Sequence, residues 1–288
     1  MPRSATGSAS ATLSGSEAGL IDPRNGPAWD LPEFAGAPRT YVIASTPRTG
    51  STLLCRSLWD TGLAAAPKEY LNPMQIRDWE VRLGASALSR SAHRLLVGPA
   101  VGLAGRVGWS EARLRAHLER VRRHRTAADG LFGLKLHAHH FERWFLSGAL
   151  SWQEVLAPQR WIRIRREDRV AQAVSWARAL QSGRWASHQR SLLPVIYRRR
   201  QVERLEAEIL RQEGAWSRFF DSNGIEPLEL SYEELVAERD VTLRRVLAFL
   251  GVAGAETAAI PEPSLAPQAD ATTEDWIERH RAHARRPQ

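Results

Sequence analysis

Short apolar runs alternate along this chain with longer segments in which apolar residues recur at helical spacing. The first run, Arg-Thr-Tyr-Val-Ile-Ala-Ser at 39–45, ends in a polar loop and reads as a buried strand. Leu53, Leu54 and Leu58 then predict a helix over 51–61, which Gly62 ends. The apolar segment 63–66 is expected to be a strand returning to the same sheet. Residues 84–108 are Gly- and Ala-rich with weak periodicity, which suggests a loop or short lid. Leu114, Leu118 and Val121 give a basic amphipathic helix over 110–125. Strands are expected at 131–136, 160–165 and 227–230. Asp168 is placed to cap a helix running to about residue 181. Charged helices follow over 192–220 and from Ser231 to Phe249, with a last one from Thr272. Strands alternating with helices predict an α/β fold, a P-loop-like parallel sheet flanked by helices. Residues 1–38, rich in Ser, Ala, Gly and Pro, read as a disordered tail, and 39–288 as one domain.

Composition adds limits. The 288 residues are 43% hydrophobic and 25% charged, an ordinary globular balance. No apolar run reaches the roughly eighteen residues of a membrane span, and no apolar leader core opens the chain, so a cytoplasmic protein is expected. The single cysteine, Cys55, rules out an internal disulfide and a thiolate metal cluster. The net charge of +8 suits an anionic ligand, nucleic acid or a membrane surface. Arginine carries almost all of it, the only lysines being Lys68 and Lys135. A lysine inside the apolar run at 131–136 needs an acidic partner or a ligand, and Glu167 and Asp168 are the local carboxylates. His137, His139 and His140 fit no common zinc spacing, and no metal is expected; one of them, His137 first, is placed to line an acceptor pocket.

The richest chemistry lies where the first strand meets the first helix, at Thr46-Pro47-Arg48-Thr49-Gly50-Ser51-Thr52. The first N–H groups of a helix lack partners within it and favour negative charge. Gly50 permits close approach, Ser51 and Thr52 supply hydroxyls, Thr49 extends the turn, and Arg48 offers charge-assisted bonds. Together they make a nest for a phosphate-like dianion. A plain N-capped helix explains the hydroxyls but not Arg48 and Gly50. The loop is no Walker A motif, because no Gly-Lys pair occurs in the chain. That and the lack of a magnesium carboxylate pair argue against a small-molecule kinase. A nucleic-acid binder is the other rival, but acids are interleaved with the arginines and no aromatic–basic motif appears.

A strand followed by Pro-Arg-Thr-Gly-Ser-Thr resembles the 5′-phosphosulfate loop of sulfotransferases that use 3′-phosphoadenosine 5′-phosphosulfate (PAPS). Trp161-Ile162-Arg163-Ile164-Arg165-Arg166, followed by a helix bearing Ser175, resembles their 3′-phosphate signature. The wording is closest to the bacterial trehalose 2-sulfotransferase family. The resemblance implies the sulfotransferase fold, PAPS as co-substrate, and a sugar or hydroxylated metabolite as acceptor. It further implies cofactor contacts at Arg166 (or Arg165) and Ser175, and a homodimer. Position alone brings Glu69 beside the anion loop if 63–66 returns to the sheet, where it could serve as a general base or simply pair with a nearby cation. The resemblance carries the family's catalytic glutamate onto Glu69. Lys135 is a candidate contact to phosphosulfate or acceptor. Of the eleven tryptophans, most suit the core; Trp185, in a polar stretch, is the candidate for stacking on a sugar.

Overall fold

The computed structural model describes residues 20, 22–83, 110–146, 150–185, 194–265 and 270–284. The lid expected at 84–108 therefore lies outside the described residues. So do residues 1–19 of the expected tail. The chain divides into two compact units, Met1–Asp30 with Asn72–His117, and Leu31–Leu71 with Leu118–Gln288.

The larger unit is built on four parallel strands: β1 (Arg39–Ser45), β2 (Leu131–His137), β3 (Pro158–Arg165) and β4 (Leu228–Ser231). Their order is β2-β1-β3-β4. All seven residues of β2 are buried, as expected for a parallel strand covered on both faces. Helix α1 (Ser51–Asp60) follows β1. On its side of the sheet, Tyr41 and Ile43 of β1 and Ile162 and Ile164 of β3 pack with Leu54 and Leu58. Leu243, Val246 and Leu247 of a later helix, Arg239–Phe249, join the same core. The opposite side is aromatic: Trp161 lies within 6.1 Å, centroid to centroid, of Phe141, Trp216, Phe219 and Phe220. Neighbours Trp161 and Ile162 serve opposite faces, as strand geometry requires.

The smaller unit contains α2 (Pro73–Arg82), capped by Asn72, and two short turns at Pro23–Asn25 and Pro27–Trp29. Asn25 is fully buried, and its Nδ2 donates to Gln75 Oε1 and Asp78 Oδ2, both at 2.8 Å. Within the stretch read as a tail, Asn25 and the two short turns around it are thus tied to α2. Helix α3 (Glu111–Arg125) buries Leu114, Leu118 and Val121 as their spacing predicts.

After β2 come α4 (Ala138–Phe141), a π-helical turn to Leu146, and α5 (Trp152–Leu156). Then follow α6 (Arg169–Ser182) and α7 (Arg199–Asn223). After β4 come α8 (Tyr232–Ala237), α9 (Arg239–Phe249) and α10 (Ala271–Ala284). Three expectations change. Residues 63–66 form no strand; the chain touches the sheet at a single parallel bridge, Lys68 to Leu134. The helix expected over 192–220 begins at Arg199. The one expected from Ser231 to Phe249 breaks at Glu238, whose extended φ of −130° stops α8. Among the described residues no helix is long and apolar enough to cross a membrane.

Candidate active site

A parallel sheet delivers every strand's last residue to one edge, and the candidate residues gather there. Between β1 and α1 the loop is wound tightly: Arg48 has φ 67° and Gly50 φ 80°, both left-handed. Gly50 precedes α1 without any side-chain cap, so the plain capped-helix reading does not describe this turn. A Cβ on Gly50 would collide with the Tyr232 ring. Thr49 Oγ1 donates to Thr46 O at 3.0 Å, inside the turn. From α6, the buried Gln172 Nε2 donates to Thr46 Oγ1 at 2.8 Å and Pro47 O at 2.7 Å. Trp216 Nε1 donates to Ser45 O at 2.9 Å. The loop is therefore held from both flanks, with the first turn of α1 turned toward the edge.

Arg48 links the two halves of the edge. Its Nε donates to Ser175 Oγ at 2.9 Å and its Nη1 to Trp185 O at 2.7 Å. Burial, followed by the nearby charge of Arg166, lowers the Arg48 pKa to about 10, with Arg184 and Arg178 adding to the effect. Four guanidinium groups thus raise a positive potential that an anion would relieve. Arg166 stacks on Tyr232, its Cζ 4.5 Å from the ring centroid, and its buried Nε has no hydrogen-bond partner. Arg165 turns away, with its Nε 3.4 Å from Glu229 Oε2. The two arginines the sequence could not separate are thereby separated. Trp185 enters through its carbonyl, while the residue is 45% exposed.

On the other flank of the loop lies Glu69. The bridge Lys68 to Leu134 sets Glu69 level with Lys135 in parallel register. Lys135 Nζ sits 2.5 Å from Glu69 Oε1 and donates to Thr52 Oγ1 at 2.9 Å. His137 Nε2 lies 3.3 Å from the same carboxylate oxygen. Lys135 therefore pairs with Glu69, not with Glu167 or Asp168; the latter caps α6 and accepts from Arg281. Burial raises the Glu69 carboxyl, but Lys135 and His137 outweigh it and hold the group well below the ordinary range. Burial pushes the Cys55 thiol nearby up to about 12, which makes it an inert apolar residue. His139 and His140 complete the cluster with ring centroids 4.1 Å apart. Burial, then His137, lowers His139 to about 4; burial, then His139, lowers His140 well below the imidazole range.

Three residues of this edge were not singled out from sequence. Tyr232 follows β4 and covers both Gly50 and Arg166, Gln172 braces the loop, and Ser45 contacts His137. Tyr232 had a readable signal, because it follows the last residue of a strand in a parallel sheet. Gln172 and Ser45 had none, since each looks like an ordinary polar position in its element.

The edge thus brings together a left-handed strand-to-helix loop, a cluster of arginines and a carboxylate beside a lysine. The family model described as Stf0 sulphotransferase matches residues 40–283. The chain belongs to the Stf0 sulphotransferase family. Two curated relatives are trehalose 2-sulfotransferases. That of Mycobacterium tuberculosis (strain Erdman) is 27% identical over 277 residues, 87% of this chain and 97% of the relative. That of Mycolicibacterium smegmatis is 28% identical over 270 residues, 86% and 97%. Among solved structures, the sulfotransferase domain of the Synechococcus PCC 7002 olefin synthase aligns with 88% of this chain and 98% of its own at 18% identity and TM-score 0.38. As a member of the Stf0 family the chain is a sulfotransferase, and its parallel sheet with flanking helices is the fold expected of one.

Proposed function

We propose that this sulfotransferase takes a sulfuryl group from PAPS and moves it to a hydroxyl of a trehalose-like carbohydrate or another small metabolite, with Glu69 as general base. The observation that carries the reading is the joint placement of the wound loop, the Arg48–Ser175–Arg166 cluster and the Lys135–Glu69 pair at one sheet edge. PAPS, when bound, supplies a sulfuryl group on a phosphate leaving group. The residues present fit it: Arg166 Nε is a buried donor without a partner, and the nest at Arg48–Gly50 faces the same edge. The N-terminal turn of α1, with Ser51 and Thr52, holds the 5′-phosphosulfate through N–H and hydroxyl donors. Arg166 and Ser175 hold the 3′-phosphate, with Arg48 between the two sites.

Lys135 spans base and anion, touching Glu69 on one side and Thr52 on the other. Attraction of its ammonium toward a bound anion weakens its hold on Glu69, so the carboxylate recovers proton affinity when the donor is in place. Glu69 then accepts the acceptor hydroxyl's proton. The acceptor class comes from the relatives' names.

Titration calorimetry with 3′-phosphoadenosine 5′-phosphate tests the donor, with micromolar binding expected; absence of binding at that concentration removes PAPS from the reading. For Glu69→Gln the expected result is unchanged nucleotide affinity with turnover of trehalose and PAPS down at least about 100-fold. Equal loss of both would make Glu69 a structural residue.

A further inference from the structure

Beside the carboxylate assigned above as base runs a chain of polar contacts that no part of that reading uses. Ser45, the last residue of β1, pairs in register with His137, the last residue of β2. Ser45 Oγ is 2.9 Å from His137 Nδ1 and 3.3 Å from Leu136 O. The other ring nitrogen, Nε2, is 3.3 Å from Glu69 Oε1. A Ser-His-Glu row invites comparison with a nucleophilic triad. Ser45 is 1% exposed, and its carbonyl is tied to Trp216, so no substrate can reach its hydroxyl. The row must act inward, on Glu69.

Proton counting fixes how. A neutral imidazole carries one N–H. If that hydrogen were on Nδ1, the bare Nε2 lone pair would face a carboxylate oxygen, a repulsive contact. With the hydrogen on Nε2, the ring donates to Glu69 and Nδ1 accepts the Ser45 hydroxyl hydrogen over the shorter of that hydroxyl's two contacts.

We propose that Ser45 and His137 form a positioning relay that holds Glu69 in its working orientation through the hydrogen bond from the His137 ring. The proposal rests on Glu69 being the base. In the neutral state His137 fixes the carboxylate through Oε1, the oxygen that Lys135 also contacts. The other groups facing it are Lys135 on β2, His140 on α4 and Cys55 on α1; His139 leads on to Gln212 and Glu208 of α7. His139 and His140 are held neutral by burial, and the Cys55 thiol is held protonated.

The test uses the full-length chain with trehalose and PAPS for kinetics, and nitrogen-resolved NMR of the imidazoles in the ligand-free protein. His137→Leu is expected to lose about 10- to 100-fold in kcat, the value of one hydrogen bond to a charged group, with nucleotide affinity within about 3-fold. His137→Gln, whose amide can still donate to Glu69, is expected to keep most turnover. The NMR spectrum of the neutral state is expected to show His137 protonated on Nε2, a preference that Ser45→Ala weakens. An Nδ1–H tautomer in the unmodified protein overturns the relay, as does equal impairment of the Leu and Gln variants. Wild-type turnover in Glu69→Gln sinks the base assignment instead, and the imidazole shifts read the relay without any turnover.

Discussion

Arg165 and Arg166 leave the same strand and do different work. Arg165 is the last residue of β3 and Arg166 the first beyond it, and their side chains meet different partners. Arg165 meets Glu229, while Arg166 lies over Tyr232 beside Arg48. Arg166→Ala is therefore expected to weaken binding of 3′-phosphoadenosine 5′-phosphate by at least about 10-fold relative to adenosine 5′-phosphate, because a charge-assisted bond is lost. Arg165→Ala is expected to leave that ratio within about 2-fold, and calorimetry with both nucleotides decides. Gly50 is the other residue whose identity is forced. Its φ of 80° and the Tyr232 ring leave no room for a Cβ. Gly50→Ala should cost on the order of 2 kcal/mol in denaturant unfolding, and Tyr232→Ala should restore only the part due to collision, not the part due to φ. A glycine in a strand-to-helix turn could be marked from sequence; the ring packed on it comes from the first residue of α8, far along the chain.

At the scale of elements, α4 carries two histidines into a buried place and so makes stability depend on acid. His139 titrates near 6.5 in the unfolded chain and near 4 in the folded one. Between those values the unfolded chain binds more protons, so stability rises with pH. The contribution is complete above about pH 6.5 and is lost as pH falls toward 4, on the order of 3 kcal/mol. Urea midpoints measured across that window should fall with acid, and His139→Gln should remove part of the slope. Element types were readable wherever a helix or strand buries a regular stripe, as in β1, β2, α1, α3 and α6. Helix α7 was read seven residues too early because the apolar residues Leu192, Leu193, Val195 and Ile196 precede it and extend its pattern despite Pro194. The four- and five-residue α4 and α5 were missed because helices so short carry too few apolar turns to register, and the ten-residue α2 because Ile76 and Trp79 are its only buried apolar residues.

Across the whole of the larger unit, the C-terminal helix braces the helix that carries Ser175 and Gln172. Trp276 of α10 is 3% exposed and packs in one cluster with Val174 and Ala177 of α6 and Val202 of α7. Asp270 grips Arg178 at 2.7 and 2.8 Å, and Arg281 grips Asp168 at 2.7 Å. Trp276→Ala should cost about 3–5 kcal/mol of stability, read by denaturant unfolding. Because α6 bears both the loop brace and Ser175, nucleotide affinity should fall with it; affinity unchanged at full destabilisation would mean α6 holds its place without α10.

Local pattern was enough to determine the strands of the sheet and the loop between β1 and α1 with its glycine, arginine and hydroxyl residues, because each is written within a few consecutive positions. It was also enough to match both loops to a family. The tertiary structure alone decided that Glu69 meets Lys135 and His137, that Arg166 rather than Arg165 faces Arg48, and that Tyr232, Gln172 and Ser45 belong to the same edge. Those contacts depend on which strands lie side by side and in what register, and that is set by burial summed over the whole sheet. No spacing within one segment contains it.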